Sequence, residues 1–244
     1  AEKHKYYKLL FYPGNENFYN GGIIEIDSLH YGGVEEINVR SLTCFHQAQM
    51  TYEYLKSRDD TYFPFVLSRG NMFGMGQFSF HFVPDVTSSW ELMRASLGPV
   101  LTYQIFGTPM IGADVCGFVG WEPVTSELCA RWHQLSVFYT FARNHHAPLR
   151  PKPEPENWQE PYLFSGVYFD TIKKHMLLRY SLLKQFYTFF FKMPGKELRV
   201  GTIIRPLFFE FTDRLMPPYG SPVYDEQFMM SDTLMVAPVL YEGQ

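Results

Sequence analysis

This chain of 244 residues lacks several features, and each absence argues against a class of protein. Positive charge is not in excess, since 21 Lys and Arg face 25 Asp and Glu, and the net charge of −4 predicts no nucleic-acid surface. A long apolar run without charge is also missing. The most apolar stretch, Met176–Met193, contains Arg179 and Lys184 and predicts a buried amphipathic helix, so no membrane span is expected. The first residues are charged and then aromatic, and they show no secretory signal.

Cysteine is scarce, with three residues in the whole chain. Cys116 and Cys129 are 13 positions apart, a spacing that suits either a disulfide or two separate thiols. Cys44 lies on a predicted helix and is expected to be a buried free thiol. The sequence has no Asn-x-Ser/Thr sequon, so it offers no direct sign of glycosylation.

The chain is rich in aromatic residues, which make up 18% of it, and 46% of the residues are hydrophobic. This composition is typical of a globular protein, and the length allows one large domain or one and a half smaller ones. Aromatic side chains supply core volume, and they also form platforms that stack on sugar rings.

Helices and strands alternate along the predicted chain. Helices are expected at Val39–Ser57, at 88–104 behind a capping box formed by Ser88 and Glu91, at Glu127–Leu135 and at Tyr168–Met193. Strands are expected at Gly22–Ile26, Tyr62–Leu67, Phe78–Phe82, Met110–Ala113, Val137–Ala142, Gly201–Ile204 and the end of 227–240. This order favours a parallel α/β arrangement, and about four strands after residue 60 would make half of an eight-stranded barrel. An open α/β sheet fits the pattern equally well.

Polar residues follow four of these strands, namely Arg69, Asp85, Asp114 and His145. Because chemistry gathers at the carboxyl ends of parallel strands, they predict the rim of an active site. Ordinary structural roles, with no part in catalysis, also fit these residues. Asp85 could be a solvated residue near a helix start, Arg69 an ordinary salt-bridge partner, and Asp114 a brace for its loop. His145 is followed by His146, but no Cys, Asp or Glu stands at ligand spacing beside them, so no metal site is expected.

Ordered motifs along the chain resemble glycoside hydrolase family 31, the α-glucosidase family. The likeness extends from about Tyr31 to Leu240, and several motifs at near-constant spacing are more specific than any one of them. The clearest are PFVLSRG at 64–70, HFVPDVTSSWE at 81–91, GTPMIGADVCGF at 107–118, ELCARW at 127–132 and FYTFARNHH at 138–146, with weaker support from LRYSLLKQFYT at 178–188, IIRPLFFEF at 203–211 and DEQFMMSDTLMVAPVL at 225–240.

The resemblance implies an α/β fold, namely the second half of a (β/α)8 TIM barrel running into a C-terminal β-sandwich domain. Residues 1–215 would form the C-terminal part of the catalytic barrel, and residues 216–244 would begin the β domain. Family members are retaining glycosidases that use two carboxylates. Asp85 matches the acid/base of the family, and the nucleophile motif has no counterpart here, so we expect it on polypeptide before Ala1.

The resemblance also implies how glucose would be held. Arg69, Asp114 and His145 match sugar-binding residues, Phe118 and Phe82 match aromatic walls of the pocket, and Arg143 is expected to pair with carboxylates. Cys116 and Cys129 match a loop disulfide of lysosomal and secreted members, which indicates an oxidising compartment. No metal or organic cofactor is expected.

Some positions depart from the family pattern. Phe82 stands where a tryptophan is usual, Pro84 replaces a glycine beside Asp85, Gln77 replaces a common arginine, and 41–44 read Ser-Leu-Thr-Cys where Asn-Leu-Tyr-Gly is usual.

The resemblance and these departures together predict two alternative functions. One is an exo-α-glucosidase that removes terminal, mainly 1,4-linked glucose from oligosaccharides or glycogen, active together with the upstream half of the same protein. The other is a catalytically impaired homologue that binds carbohydrate or serves a structural role. The expected location is lysosomal or secreted, or the endoplasmic reticulum lumen, because 30–33 resemble that branch.

Overall fold

The computed structural model describes residues 24, 27–59, 61, 63–118, 124–146, 159–192, 202–211 and 226–244. Two sequence predictions fall outside this part of the chain. Most of the short strand at Gly22–Ile26 is not described, and neither is the domain boundary between residues 215 and 216.

Five α-helices are present in the described residues. They are α1 (Glu36–Arg58), α2 (Trp90–Ala95), α3 (Leu97–Ile105), α4 (Ser126–Ser136) and α5 (Gly166–Lys192). Short 3-10 turns lie at Met75–Gln77, Pro161–Leu163 and Leu207–Phe209. Helices α1, α4 and α5 confirm three of the sequence predictions to within a few residues at each end.

Eight short strands accompany these helices in the described part of the chain. They are β1 (Leu67–Ser68), β2 (Phe80–Phe82), β3 (Ile111–Gly112), β4 (Asp114–Val115), β5 (Arg143–Asn144), β6 (Ile204–Arg205), β7 (Phe228–Met230) and β8 (Leu234–Val236). Strands β1, β2 and β3 form one parallel sheet in that order, and β4 pairs with β5, also in parallel.

The two parallel sheets form one continuous wall. Only Ala113 separates β3 from β4, and the backbone N–H of Val83 donates to Gly112 O beyond the end of β2. On the other side, the N–H of Phe141 donates to Ile111 O just before β5 begins. The stretch 111–115 therefore lies between β2 and β5, and all the carboxyl ends of these strands point to the same rim.

The long helix predicted at 88–104 is divided into α2 and α3. Its N-cap is Ser89 and not Ser88, and the Ser89 hydroxyl accepts from the N–H of Leu92 at 3.2 Å. Pro99 has no N–H, and its ring would clash with the carbonyl of Ala95 in a continuous helix, so the chain breaks at Ser96. The Ser96 hydroxyl then contacts Tyr139 Oη at 2.8 Å inside the core.

The strand predicted at Val137–Ala142 is wrong in its position, because those residues turn and β5 begins only at Arg143. The reason lies on α5, where the Arg179 guanidinium donates to four backbone carbonyls at distances between 2.6 and 3.4 Å. They belong to Ser136, Val137, Tyr139 and Thr140. Successive carbonyls of a strand point in alternating directions, so carbonyls that all point to one cation belong to a turn. Burial lowers the pKa of Arg179 to about 10.

Within the described residues, a hydrophobic core lies between the parallel wall and the helices, and Met93, Ile111, Trp132 and Tyr139 are among its fully buried members. Helix α5 contacts this core through Phe186, and Ile172 of the same helix is also buried, but α5 differs from the expected buried helix. Much of the apolar face predicted from sequence is exposed on α5, namely Met176, Leu177, Tyr180, Leu183 and Tyr187. The helix is confirmed, but its burial is only partial.

The last described strands form an antiparallel sheet in the order β6-β7-β8. This sheet is attached to α3 through Gln104, whose Oε1 accepts from the N–H groups of Ile203 at 3.1 Å and Ile204 at 3.4 Å. The amide nitrogen of Gln104 donates to Pro109 O at 2.7 Å, ahead of β3. Gln104 therefore lies at the amino end of the parallel strands, away from their carboxyl rim.

None of the helices in the described residues is both long enough and apolar enough to cross a membrane.

Candidate active site

Asp85 and Arg69 form an ion pair at the rim. Arg69 follows β1, Asp85 follows β2, and Arg69 Nη1 donates to Asp85 Oδ2 at 3.3 Å. The Asp85 side chain is 36% exposed and that of Arg69 is 50% exposed, so both can meet a ligand from solvent. The backbone around them is held by His81, whose Nδ1 lies 3.0 Å from Ser68 O. Burial lowers the pKa of His81, so its ring is neutral at neutral pH.

Asp114 is the second rim carboxylate, and its environment is opposite to that of Asp85. It is buried, and Arg143 donates to its Oδ1 through Nε and through Nη2, each at 2.7 Å. Burial raises the pKa of Asp114, while the hydrogen bond and charge of Arg143 and the charge of His145 oppose the rise. The pairing of Arg143 with a carboxylate, as predicted, is confirmed.

One oxygen of Asp114 remains available for a ligand. Oδ2 is buried and accepts no hydrogen bond from the described residues. A hydrogen bond from a hydroxyl group would stabilise this buried carboxylate oxygen, because an unsatisfied acceptor in a low-dielectric site costs about 1–3 kcal/mol of free energy. A sugar hydroxyl is a donor of this kind.

Phe82 is half-buried, and its ring lies against Arg143. The guanidinium carbon of Arg143 lies 4.6 Å from the centroid of the Phe82 ring and 5.8 Å from that of Phe141. A planar cation over an aromatic face is attracted by the quadrupole of the ring. Phe82 therefore helps to hold the cation that neutralises Asp114, in addition to any contact with a ligand.

Phe118 and His145 form the other side of the rim. Their ring centroids are 4.8 Å apart with an interplanar angle of 38°. Phe118 follows β4, and its N–H donates to Val86 O at 2.8 Å, while His145 directly follows β5. The charges of Asp85 and His145 both act on Asp114. The structure thus brings together the six rim residues expected from sequence, namely Arg69, Phe82, Asp85, Asp114, Phe118 and His145.

The loop that carries Phe118 has an unusual backbone. Cys116 and Gly117 have φ values of 73° and 88°, in the left-handed region. At Gly117 a Cβ would lie 2.6 Å from the Cα of Ser88, so only glycine fits. Cys116 is joined to Cys129 of α4 by a disulfide, which fixes the loop on the helix and confirms the expected pairing.

The disulfide also bears on metal binding. Among the described residues, Cys116, Cys129 and His133 are the one group whose ligand atoms lie close enough together for an ion. Both sulfur atoms are bonded to each other, so neither offers a thiolate. His133 Nδ1 contacts Cys129 O at 2.8 Å, and burial lowers the pKa of this histidine. The group is therefore a packed part of the core.

The model of the glycosyl hydrolases family 31 TIM-barrel domain matches residues 13–189 of this chain. The chain belongs to glycoside hydrolase family 31. The family domain is an α/β barrel, in agreement with the parallel wall and its helices.

Relatives and solved structures of family 31 agree with this assignment. The lysosomal acid alpha-glucosidase of Tetrahymena pyriformis is 38% identical over 212 residues, which are 86% of this chain and 21% of that protein. The lysosomal alpha-glucosidase of Mus musculus is 40% identical over 181 residues, 74% of this chain and 17% of that protein. A crystal structure of the glucosidase II alpha subunit with alpha3-Glc2 bound matches with a TM-score of 0.76 at 32% identity, over 91% of this chain and 23% of that one. The chain thus spans about a fifth of the length of the relatives it matches.

One residue at the rim is not predicted from the sequence. Gln159 is buried beneath the loops that carry Phe118 and His145, and its amide contacts both. It lies in a polar and proline-rich stretch with no periodicity, so no local pattern indicates a role there. Its contacts join parts of the chain that are more than forty residues apart, and sequence spacing cannot show this.

Proposed function

We propose that this chain carries the acid/base half of the active site of a retaining exo-α-glucosidase. The substrate would be terminal α-linked glucose, mainly 1,4-linked, in oligosaccharides or glycogen. The chain would provide the proton donor and most of the glucose contacts. A nucleophile on upstream polypeptide of the same protein would complete the site.

The observation that carries this proposal is the contrast between the two rim carboxylates. Asp85 is exposed at a strand end and has one cationic neighbour at 3.3 Å. It is therefore placed to give a proton to a glycosidic oxygen as the bond to the sugar breaks, and later to take a proton from the attacking water. Asp114 is buried and held by Arg143, so it is suited to binding a hydroxyl and not to attacking carbon.

A retaining mechanism requires a second carboxylate about 5–5.5 Å from the acid/base to form the glycosyl-enzyme. Within the described residues, Asp114 is the candidate carboxylate that interacts with Asp85, and its salt bridge with Arg143 makes it a poor nucleophile. The proposal therefore assigns the nucleophile to a strand that this chain does not provide.

The remaining rim residues supply the hydrogen bonds and the apolar surface expected for binding one glucose unit. Asp114 Oδ2 can accept from a hydroxyl, and the Arg69 and His145 side chains can bond others. Phe118 gives an apolar surface for the sugar ring. No step in this chemistry calls for a metal or an organic cofactor.

The exposed apolar surface supports the proposal that residues 1–215 are the second half of a barrel. In the described residues, β1 is hydrogen-bonded to β2 on one side, and its other edge has no paired strand. Phe65, two residues before β1, is 53% exposed, and Met50 and Tyr54 of α1 are largely exposed as well. An open strand edge together with exposed apolar side chains favours association with further strands, here the upstream half. Residues 216–244 would then begin the C-terminal β domain.

The location follows from the same resemblance. Lysosomal alpha-glucosidases and the glucosidase II alpha subunit are both similar to this chain, so a lysosomal or secreted site is proposed, with the endoplasmic reticulum lumen as the alternative. The Cys116–Cys129 disulfide suits any of these oxidising compartments.

A second candidate is an impaired homologue that binds carbohydrate without cleaving it. Phe82 and Pro84 motivate it, because both depart from the usual sequence next to the acid/base. Pro84 has no backbone N–H to offer a ligand, and one face of the Phe82 ring is occupied by Arg143.

The deciding experiment uses the protein with its upstream half. An α-glucoside is hydrolysed, and proton NMR follows the first product formed. Initial release of α-glucose supports a retaining α-glucosidase, whereas initial β-glucose contradicts it. A mechanism-based cyclitol should label the upstream half, and binding without turnover or labelling would favour the impaired homologue.

A separate experiment tests the need for the upstream half. Residues 1–244 alone should aggregate or melt without cooperativity, and adding the upstream half should restore a soluble complex. A cooperatively melting monomer of residues 1–244 would contradict the half-barrel proposal without affecting the proposed chemistry.

A further inference from the structure

Gln159 occupies a buried position against the loops that carry Phe118 and His145. The residue is only 3% exposed, and it precedes the 3-10 turn Pro161–Leu163 that leads into α5. A buried amide is costly unless its polar atoms are bonded, and here the bonded atom is the nitrogen, since Oε1 accepts no hydrogen bond from the described residues.

The amide nitrogen of Gln159 faces four oxygen atoms from two separate loops. The β4 loop contributes Val115 O at 3.1 Å and Gly117 O at 3.0 Å. The β5 loop contributes Asn144 Oδ1 at 2.7 Å and His145 O at 3.1 Å. An amide nitrogen carries two hydrogens, so these acceptors share them. The opposite orientation of the amide would place an oxygen against four acceptors, and this repulsion determines which way the amide points.

The main chain of Gln159 strengthens the same link. Asn144 Nδ2 donates to Gln159 O at 2.9 Å, while its Oδ1 accepts from the Gln159 amide. The regular pairing of the two strands ends where Val115 faces Asn144. Beyond that point Gln159 continues the connection between the loops, which then carry Phe118 and His145.

We propose that Gln159 is a positioning residue for the glucose pocket, because its amide holds the loops of Phe118 and His145 at one separation. This inference rests on the proposed glycosidase function. Gln159 contacts no substrate in this arrangement. It sets the 4.8 Å spacing of the two rings that do, and it keeps the backbone of His145 fixed beside Asp114.

The contact between Gln159 and the two loops requires a hydrogen-bond donor on the side chain of residue 159. This requirement provides a specific test. Gln159→Glu has nearly the same shape but presents a carboxylate to four acceptors near neutral pH. Protonation returns one O–H donor, so catalysis should recover as the pH falls. In the intact protein, kcat/KM of Gln159→Glu should be at least tenfold below wild type at pH 7.5, and the deficit should shrink severalfold by pH 5.

Gln159→Met has no donor at any pH, so its deficit should stay constant over that range. The loss should appear mainly as a higher KM per active site. Gln104→Met is a matched control, because Gln104 is a buried amide that joins two segments at the opposite end of the strands. It should lower Tm and leave KM unchanged.

A merely structural role would lower Tm in both Met variants without changing KM or the pH profile. If folded Gln159→Met binds and turns over substrate like wild type, the proposal is wrong. A pH-independent deficit in Gln159→Glu would also contradict it, since the donor would then be irrelevant.

Failure of the proposed function would look different, because wild type itself would not hydrolyse α-glucosides. Hydrogen exchange in the free protein then decides the role of Gln159. Amides of 114–118 and 143–146 should exchange at least tenfold faster in Gln159→Met than in wild type, and unchanged exchange would overturn the proposal.

Discussion

Arg69 Nη1 and Asp85 Oδ2 lie 3.3 Å apart although the residues are sixteen positions apart in sequence. The pairing of β1 with β2 creates this contact, since Ser68 faces His81 in the parallel register. An exposed pair of this kind contributes about 0–1 kcal/mol to stability. Its importance therefore lies in chemistry at the rim, where both groups are open to a ligand.

Asp85→Asn should nearly abolish hydrolysis of α-glucosides by the intact protein. A general acid/base contributes about 10²–10⁴-fold, and an amide cannot supply the proton. The variant should retain more of the wild-type activity on substrates whose leaving group needs no proton than on maltose. Steady-state kinetics on both substrates measure this difference. Glu91→Gln, an exposed change six residues away, should behave like wild type, and unchanged turnover by Asp85→Asn would refute the assignment.

Arg69→Met should raise KM for α-glucosides about tenfold or more while leaving Tm nearly unchanged. The reason is that the ion pair is exposed and adds little stability, whereas the guanidinium fork can bond sugar hydroxyls. Steady-state kinetics and thermal melting of the same preparation measure KM and Tm. Arg58→Met at the end of α1 serves as the control. A large fall in Tm with normal KM would indicate a structural role for Arg69.

Gly117→Ala should destabilise the protein and weaken substrate binding together. The positive φ costs about 1–3 kcal/mol for a non-glycine residue, and the new Cβ would meet the backbone of Ser88 at 2.6 Å. The displaced loop carries Phe118, so KM should rise. Gly98→Ala in α3 meets nothing within 4 Å and should be neutral or slightly stabilising. Urea unfolding and KM measurements on the two variants compare them directly.

Replacing Cys116 and Cys129 together by alanine should reduce the free energy of unfolding by about 3 kcal/mol, the value expected for a loop of this size. Wild type in a strong reductant under unfolding conditions should lose a similar amount. Cys44→Ala should show no such loss, because Cys44 is the free thiol. Urea titrations with and without reductant provide the measurement, and equal stability of the double variant and wild type would contradict the prediction.

His133→Gln should flatten the dependence of stability on pH. Burial lowers the pKa of His133 below its ordinary value of about 6.5, so the unfolded chain binds more protons below that pH. Stability from the neutral ring is therefore complete above about pH 6.5 and falls as the pH drops toward the folded-state pKa. The decrease in Tm between pH 7.5 and pH 5 should be smaller in the variant. Exposed His46→Gln should keep the wild-type decrease.

Much of the rim could be predicted from the sequence because it depends on short motifs at strand ends. Asp85, Arg69 and Asp114 each follow an apolar strand, and the carboxyl ends of parallel strands necessarily meet. The capping position was misplaced by one residue, and β5 begins later than expected. The shift of the cap is local, because Ser89 accepts from the N–H of Leu92, whereas the late start of β5 arises from the distant contact between Arg179 and the end of α4.

The sequence by itself determined the alternation of helices and strands, the family and the residues available at the rim. These depend on local periodicity and on the order of motifs along the chain. Only the tertiary structure decided that Asp114 is buried against Arg143 while Asp85 stays exposed, and that Gln159 joins two loops. The reason is physical: burial and hydrogen-bond partners are set by packing between segments far apart in sequence, and they determine which of two identical carboxylates can exchange a proton with a ligand.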